Sequence, residues 1–178
     1  MRIVAGSLGG RRLHAPPGRG TRPTADRVRE ALFSILGDVS GLAVLDLFAG
    51  SGALGIEALS RGATSATFVD SGTRAIAAVR RNLAELGLDA PVIRRDALAF
   101  LAAPARAPGA PYDLVFLDPP YSSADRLAGP LSERLPAVAS GRGLIVSESD
   151  KRNPLELTLP LEDERTYGDT RIALHRVQ

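Results

Sequence analysis

The chain has 178 residues, and its 44% hydrophobic and 24% charged residues are the balance of one soluble globular domain with room for a small extension. It contains no cysteine, which excludes disulfides, thiolate metal sites and covalent catalysis by a thiolate. The net charge of +2 is unevenly spread, because residues 1–22 carry five arginines and no acid. That excess predicts a basic arm that binds phosphate, with a solvated, arginine-biased tail as the alternative.

The first predicted element is a small β-hairpin, formed by two short apolar runs at 2–5 and 11–14 around a glycine turn. Residues 15–23 are rich in proline and glycine, which predicts an irregular linker or binding loop. A helix is expected next, with Thr24 as its cap and an end near Gly37.

From residue 43 onward, strands and helices alternate. The predicted strands are 43–48, 65–70, 91–95, 112–118 and 143–147, and the predicted helices are 53–61, 73–86, a short one after the third strand and a broken stretch around 124–139. This alternation predicts an α/β fold with a parallel sheet and helices on both faces. Two last strands, 155–161 and 170–177, lack a helix between them and are expected to pair antiparallel at one edge. We therefore expect a Rossmann-like, seven-stranded, mostly parallel sheet in 23–178, with 1–22 as an N-terminal hairpin extension.

The first of these strands runs into a glycine-rich turn that precedes a helix. Gly50, Gly52 and Gly55 match the dinucleotide fingerprint, and Asp70 follows Gly52 by 18 residues, where an acid would hold ribose hydroxyls. The spacing alone therefore leaves NAD or FAD as a candidate. Asp46 favours a different ligand, because its carboxylate would repel a pyrophosphate but attract the ammonium and sulfonium groups of S-adenosylmethionine.

Acids follow three successive strands. Besides Asp46, we expect Asp70 to accept from both ribose hydroxyls of S-adenosylmethionine and Asp96 to accept from its adenine amino group. The alternative for each acid is a helix N-cap or a first-turn carboxylate. Ligands of such sheets bind beyond the carboxyl ends of the strands, so the three positions together favour a cofactor site.

The fourth strand ends in Asp118-Pro119-Pro120-Tyr121. The prolines stiffen the loop and leave the Asp118 carboxylate and the Pro119 carbonyl as acceptors, while Tyr121 adds a ring able to stack on a base. Two acceptors that hold both N–H bonds of an exocyclic amine would orient its nitrogen towards a methyl donor and stabilise its growing positive charge. A plain strand-terminating Asp-Pro turn is the alternative. The motif predicts methylation of a nucleobase amine, with these four residues as the catalytic group.

These residues resemble a known family. The loop from Asp46 to Gly55 and the segment from Asp118 to Tyr121 look like the motifs of class I amino-methyltransferases. Four further segments look like those of the RsmD family over nearly the whole chain: Arg2 to Gly6, Thr21 to Thr24, Arg27 to Phe33 and Tyr167 to Thr170.

The resemblance implies a class I methyltransferase that methylates N2 of one guanine in bacterial 16S ribosomal RNA. The implied methyl donor is S-adenosylmethionine, the product S-adenosylhomocysteine, and no metal is expected. The residues implied for the cofactor site are Asp46, Phe48, Gly50, Gly52, Gly55, Asp70, Asp96, Ala97, Arg22 and Thr24, with the segment from Arg22 to Thr24 closing over it. Those implied for RNA are Arg2, Arg11, Arg12, Arg19, Arg22 and Arg27.

The implied partner is a partly or fully assembled small ribosomal subunit. The sequence shows no apolar run long enough to span a membrane and no signal-peptide core, so a cytoplasmic monomer without membrane contact is expected.

Other functions remain open from the residues alone. Adenine N6 in DNA is the nearest, since the same four-residue motif serves it, although little chain lies outside the sheet to recognise a DNA sequence. Protein glutamine methylation is another, in enzymes that resemble this one with asparagine in place of Asp118. An NAD-dependent oxidoreductase and a non-catalytic RNA-binding module represent different classes.

Overall fold

The computed structural model describes residues 1–16, 24–104 and 107–177 and all of their side chains except those of Thr24, Ala25 and Tyr121. The strands are β1 Ala43–Asp46, β2 Ser65–Asp70, β3 Val92–Arg94, β4 Tyr112–Leu117, β5 Ala139–Asp150, β6 Leu161–Tyr167 and β7 Thr170–Arg176. The helices are α1 Thr24–Leu36, α2 Ala53–Ser60, α3 Thr73–Leu86, α4 Ala97–Leu101 and α5 Ala124–Arg134. No helix within these ranges is long and apolar enough to cross a membrane.

The seven strands form one sheet in the order β3-β2-β1-β4-β5-β7-β6. Strands β1 to β5 pair in parallel, whereas β7 runs antiparallel to both β5 and β6. The predicted mostly parallel sheet with an antiparallel pair at one edge is confirmed. The strand order reverses between β1 and β4, which is the position where open sheets of this kind bind ligands.

Nonpolar side chains pack on both faces of the sheet. One face is covered by α1, α2 and α3, which contribute Phe33, Ile56 and Val79 to its core. The other face is covered by α4 and α5 through Leu101 and Leu131. The central strands are therefore buried on both sides, which explains why they read as nearly continuous apolar runs rather than alternating ones.

The prediction of a strand at 155–161 is wrong. Residues 155–160 lie outside the strands, and β6 begins only at Leu161. Leu155 and Leu157 are buried beneath the α4–α5 layer, so their spacing reflects core packing by an irregular segment. Strand β6 is the exposed edge of the sheet and consists mostly of charged residues, so no apolar alternation marks it.

The N-terminal segment, residues 1–16, folds back on itself and packs on the α1–α3 face. A single antiparallel bridge joins Arg2 to Arg12, and the Ile3 N–H donates to the Arg11 carbonyl at 2.9 Å. Ile3 and Leu13 are 1% and 5% exposed and belong to the core of that face. The hairpin extension is thus a short, irregular one that is fixed to the sheet domain.

Candidate active site

Three acidic residues lie at the carboxyl ends of neighbouring strands beside the reversal in strand order. Asp46 ends β1, Asp70 ends β2, and Asp118 directly follows β4. Asp46 pairs with Phe68 in β2 and with Phe116 in β4, so each of the other two acids stands two residues beyond a partner of Asp46. Residues two apart along a strand point to the same face, so Asp46 and Asp70 lie on the α2 side of the sheet.

Asp46 is buried, with 3% of its surface exposed. Its Oδ2 accepts a hydrogen bond from the Gly55 N–H at 3.0 Å, which ties the end of β1 to the first turn of α2. Burial raises the pKa of Asp46 from 3.8 to about 7; the Gly55 hydrogen bond opposes the rise, and the charges of Asp118 and Asp70 add to it. A cation bound beside these carboxylates would relieve their repulsion and favour the ionised form of Asp46.

The glycine loop, residues 47–52, requires glycine at two positions. Gly50 and Gly52 have φ angles of +57° and +79°, in the left-handed region that residues with a side chain disfavour. Gly55 has a different role inside α2, because a Cβ there would lie 2.4 Å from Cε1 of Phe68. Its absence of a side chain lets α2 pack closely against β2. Phe48, in the same loop, is half-buried towards the α4–α5 face.

Asp70 fixes the glycine loop from the neighbouring strand. Its Oδ2 accepts from the Gly50 N–H at 2.9 Å, and its Oδ1 accepts from the Gly72 N–H at 2.7 Å. A carboxylate oxygen can accept a second hydrogen bond, so both oxygens retain capacity for a ribose hydroxyl. Asp70 thus joins the loop, the end of β2 and the start of α3.

Asp96 and Ala97 begin the short helix α4. The exposed Asp96 side chain caps this helix by accepting from the Ala99 N–H at 3.0 Å, so the helix-cap alternative describes its contact in the structure. Ala97 is 5% exposed and packs in the core. A contact of Asp96 with an adenine amino group stays a prediction.

The segment from Asp118 to Tyr121 leaves the sheet at the end of β4. Asp118 and Pro120 are exposed, whereas Pro119 is buried, and Tyr121 begins a 3-10 turn that ends at Ser123. In the register of β1 and β4, Asp46 pairs with Phe116, so Asp118 leaves the sheet beside Asp46 at the strand-order reversal. The charge of Asp118 accordingly contributes to the raised pKa of Asp46. The Tyr121 ring lies outside the described side chains, so its stacking on a base stays a prediction.

Two arginines of the N-terminal segment oppose each other directly. Arg2 and Arg12 are cross-strand partners and both are exposed. Such partners project to the same side, where two like charges repel, and an anion between them would stabilise the pair. Arg11 is engaged elsewhere, since its Nη2 donates to the Glu85 carbonyl at 2.9 Å. Arg27 is exposed on α1.

Several predicted site residues lie outside the described part of the chain. They are Arg19, Arg22 and the segment that was expected to close over the cofactor, of which only the backbone of Thr24, the first residue of α1, is described.

Glu57, which is fully buried in α2, was not among the predicted site residues. Its Oε2 accepts from the Val4 N–H at 2.7 Å and its Oε1 from the Ala5 N–H at 3.0 Å. Two guanidiniums complete this Glu57 cluster, with Arg61 Nε at 2.8 Å and Arg29 Nε at 3.4 Å. The cluster fixes the N-terminal segment to α2 and α1. A lone charge in the middle of an otherwise apolar helix is the sequence signal that indicates such a contact.

A second residue missed by the sequence analysis is Asn82 in α3. It is 1% exposed, and its side chain bonds to the backbone of both His14 and Ser51. It therefore lies between the N-terminal segment and the glycine loop.

Several of the known proteins that resemble this chain are named as methyltransferases. A family model described as "Conserved hypothetical protein 95" matches residues 1–176. The chain is 42% identical over 183 residues to "Putative rRNA methyltransferase YlbH" of Bacillus subtilis, which covers 99% of this chain and 98% of that protein. It is 46% identical over 123 residues to the ribosomal RNA small subunit methyltransferase D of Escherichia coli, over 68% of this chain and 60% of that protein.

A solved structure with a similar fold is also named as a methyltransferase. The "Putative methyltransferase yhhF" of Escherichia coli matches with a TM-score of 0.83 at 35% identity, over 100% of this chain and 98% of that chain. The sheet order, the glycine loop and these relatives lead to one conclusion: the chain belongs to the RsmD family of class I methyltransferases.

Proposed function

We propose that this protein transfers a methyl group from S-adenosylmethionine to the N2 amine of a guanine in 16S ribosomal RNA, within a partly or fully assembled small subunit. The observation that carries the proposal is the position of Asp118 and Pro119. They follow β4 beside the strand-order reversal, where Asp46 pairs with Phe116 and Leu47, the first residue of the glycine loop, donates its N–H to the Phe116 carbonyl at 3.1 Å.

The charge of the site supports S-adenosylmethionine as the ligand of the glycine loop. Asp46 and Asp70 present carboxyl groups where a dinucleotide would place its pyrophosphate. Asp70 accepts from the Gly50 N–H of the loop, and Asp46 accepts from the Gly55 N–H at the start of α2. S-adenosylmethionine would supply an electrophilic methyl group on a sulfonium and depart as neutral S-adenosylhomocysteine. Its ammonium and sulfonium match the carboxylates, and Asp70 has acceptor capacity for its ribose.

The stiff loop after β4 supports an exocyclic amine as the acceptor. The Asp118 carboxylate and the Pro119 carbonyl would each accept one N–H of the amine, which turns its lone pair towards the methyl group. As the N–C bond forms and the S–C bond breaks, the nitrogen gains positive charge that Asp118 stabilises. The proton then leaves the nitrogen to Asp118 or to water.

Two lines of evidence support ribosomal RNA as the substrate. The relatives from Escherichia coli and Bacillus subtilis are named for ribosomal RNA methylation. In this chain, Arg2 and Arg12 are exposed and are joined by an antiparallel bridge, and guanidinium groups are of the kind that bind phosphate. Guanine N2 is the finer part of the proposal and rests on the family resemblance together with the amine-binding geometry.

Replacing Asp118 tests the assignment of the amine site. Asp118→Ala should lower methyl transfer to small ribosomal subunits by about 100-fold or more, since it removes a group that stabilises charge in the transition state. Cofactor affinity, measured by calorimetry with S-adenosylhomocysteine, should stay nearly unchanged. Asp118→Asn keeps an acceptor but cannot take a proton, so its residual rate separates orientation from proton removal.

The matched control is Asp125→Ala, which removes an exposed carboxylate from the first turn of α5, outside the four-residue motif. This variant should transfer methyl groups at the wild-type rate. Turnover that survives in Asp118→Ala, or a large loss of cofactor binding in that variant, would move Asp118 out of the amine site.

A further inference from the structure

The side chain of Asn82 connects two parts of the molecule that the proposed function uses separately. Its Oδ1 accepts from the His14 N–H at 2.8 Å, and its Nδ2 donates to the His14 carbonyl at 3.0 Å. The second hydrogen of Nδ2 goes to the Ser51 carbonyl at 2.9 Å. All three partners are backbone groups, so the amide holds the path of the chain rather than a particular side chain.

The amide of Asn82 suits this position because it offers a donor and an acceptor together. It takes both backbone groups of His14, as a neighbouring strand would, and still donates to Ser51. At 1% exposure, water does not replace a lost contact, so a displaced backbone group would stay unsatisfied. An aspartate of the same shape would bring a carboxylate against two carbonyl oxygens.

The two partners of Asn82 belong to the RNA-facing segment and to the cofactor loop. His14 follows directly after Arg12 and Leu13 in the N-terminal segment. Ser51 stands between Gly50 and Gly52, and Asp70 holds the other side of the same loop. The glycine loop is thus held on one side by Asp70, a residue of the proposed cofactor site. On the other side it is held by Asn82, which also binds the N-terminal segment.

We propose that Asn82 is a positioning residue that couples RNA engagement by the N-terminal segment to cofactor binding at the glycine loop. The inference rests on the proposed function and adds to it. A shift of the N-terminal segment towards or away from RNA changes the hydrogen bonds between Asn82 and His14. Because the same amide donates to the Ser51 carbonyl, the shift also acts on the glycine loop. Because coupling between two binding sites is reciprocal, each ligand raises the affinity for the other by the same factor.

The test measures the dissociation constant of radiolabelled S-adenosylhomocysteine by equilibrium dialysis, alone and with saturating small ribosomal subunits that lack the modification. S-adenosylhomocysteine is the reaction product and has no methyl group to transfer, so no turnover occurs during the measurement. Wild-type protein should bind it about fivefold or more tightly with RNA present, the lower range of measured coupling between sites. In Asn82→Ala and in the isosteric Asn82→Asp, the ratio of the dissociation constant without RNA to that with RNA should be close to one.

One control variant keeps structural effects apart from coupling. Arg81→Ala removes an exposed side chain from the position next to Asn82 on α3, where it contacts Glu85. This control should keep the wild-type ratio, and the thermal stability of each variant measures its structural effect. A purely structural role for Asn82 would lower thermal stability but leave the ratio intact, and that result would overturn the inference.

Hydrogen exchange on the wild-type protein gives a test that needs no variant. S-adenosylhomocysteine should slow exchange of the His14 amide as well as that of the glycine loop. Slowing confined to the loop, or a wild-type ratio of one, contradicts the coupling while leaving the proposed function in place. Failure of the wild-type protein to bind S-adenosylhomocysteine at all would instead contradict the proposed function, and with it this inference.

Discussion

Arg29 and Glu57 form an ion pair in which both side chains are almost completely buried, at 4% and 0% exposure, with 3.4 Å between Nε and Oε2. Arg29 also donates to the Arg2 carbonyl and to Asp26. One guanidinium therefore joins α1, α2 and the N-terminal segment. Two ions lose their hydration when they are buried, and this cost offsets their attraction. We therefore infer that the pair specifies how these elements dock.

Arg29→Ala should lower the free energy of unfolding by about 3 kcal/mol, because it leaves a buried carboxylate with one partner fewer. This value is the lower end for a broken buried pair, since Arg61 still balances the charge of Glu57. Urea denaturation measures this change. The control is Arg81→Ala, which breaks an exposed pair with Glu85 and should cost less than about 1 kcal/mol. Equal losses of unfolding free energy in the two variants would show that the buried Arg29 pair stabilises the fold no more than the exposed Arg81 pair.

The turn of the N-terminal segment gives a second stability prediction. Gly6 has a φ of +84°, and a Cβ there would lie 1.9 Å from the carbonyl oxygen of Ser60 in α2. Gly10 has nearly the same φ, +83°, but nothing lies within 4 Å of its Cβ position. Gly10→Ala should cost about 1–2 kcal/mol from backbone strain alone, and Gly6→Ala clearly more because the segment must also move off α2. Similar melting temperatures for both variants would contradict this docking.

Cofactor affinity should depend on pH through Asp46. Its raised pKa means that the protonated form predominates in the free protein below about pH 7, whereas a cationic ligand favours the ionised form. Binding of S-adenosylmethionine should therefore release a proton and be about tenfold weaker at pH 6 than at pH 7.5. Calorimetry in buffers of different ionisation enthalpy measures the proton release, and Asp46→Asn should abolish both the release and the slope. Affinity that is independent of pH in the wild type would remove Asp46 from the cofactor site.

The same raised pKa affects the stability of the ligand-free protein. A carboxyl group whose pKa is raised on folding stabilises the folded state fully below its unfolded value of 3.8, and this contribution is lost as the pH rises through about 7. Relative to Asp46→Asn, the wild-type protein should therefore lose stability between about pH 4 and pH 7. Unfolding curves of both proteins across this range measure the difference, and parallel pH profiles would contradict it.

RNA binding should depend on salt through Arg2 and Arg12. Replacing both with alanine should weaken binding of small-subunit ribosomal RNA and reduce the slope of log affinity against log salt by about two, one for each lost phosphate contact. Arg142→Ala is the control, because Arg142 is exposed at the start of β5, away from the strand ends that form the site. An unchanged slope in the double variant would support the solvated-tail alternative for the arm.

Local patterns in the sequence were sufficient to predict most of the sheet and the acids of the site. The strands that end at Asp46 and Asp70, and the strand directly before Asp118, are buried apolar runs. Because the carboxyl ends of parallel strands meet at one edge of the sheet, these acids could be grouped without coordinates. The edge strand β6 could not be located, because an exposed strand of charged residues has no apolar period.

The polar contacts that position the N-terminal segment were not predictable from local patterns. Asn82 meets His14 across 68 residues of chain, and Glu57 meets Val4 across 53. Such contacts depend on how a short hairpin docks on two helices, which no periodicity encodes. A buried polar residue inside an amphipathic helix such as α3 is also easily read as surface.

Methyl transfer to a guanine amine of small-subunit ribosomal RNA is the proposed activity, and analysis of the methylated nucleoside would identify it. Wild-type protein would be incubated with radiolabelled S-adenosylmethionine and either small ribosomal subunits that lack the modification, protein-free ribosomal RNA, or duplex DNA, followed by nucleoside analysis. We expect label in N2-methylguanosine from the subunits or the RNA, and none from DNA, if the proposed activity is correct. Label in N6-methyladenine from DNA, or no transfer to any nucleic acid, would contradict it.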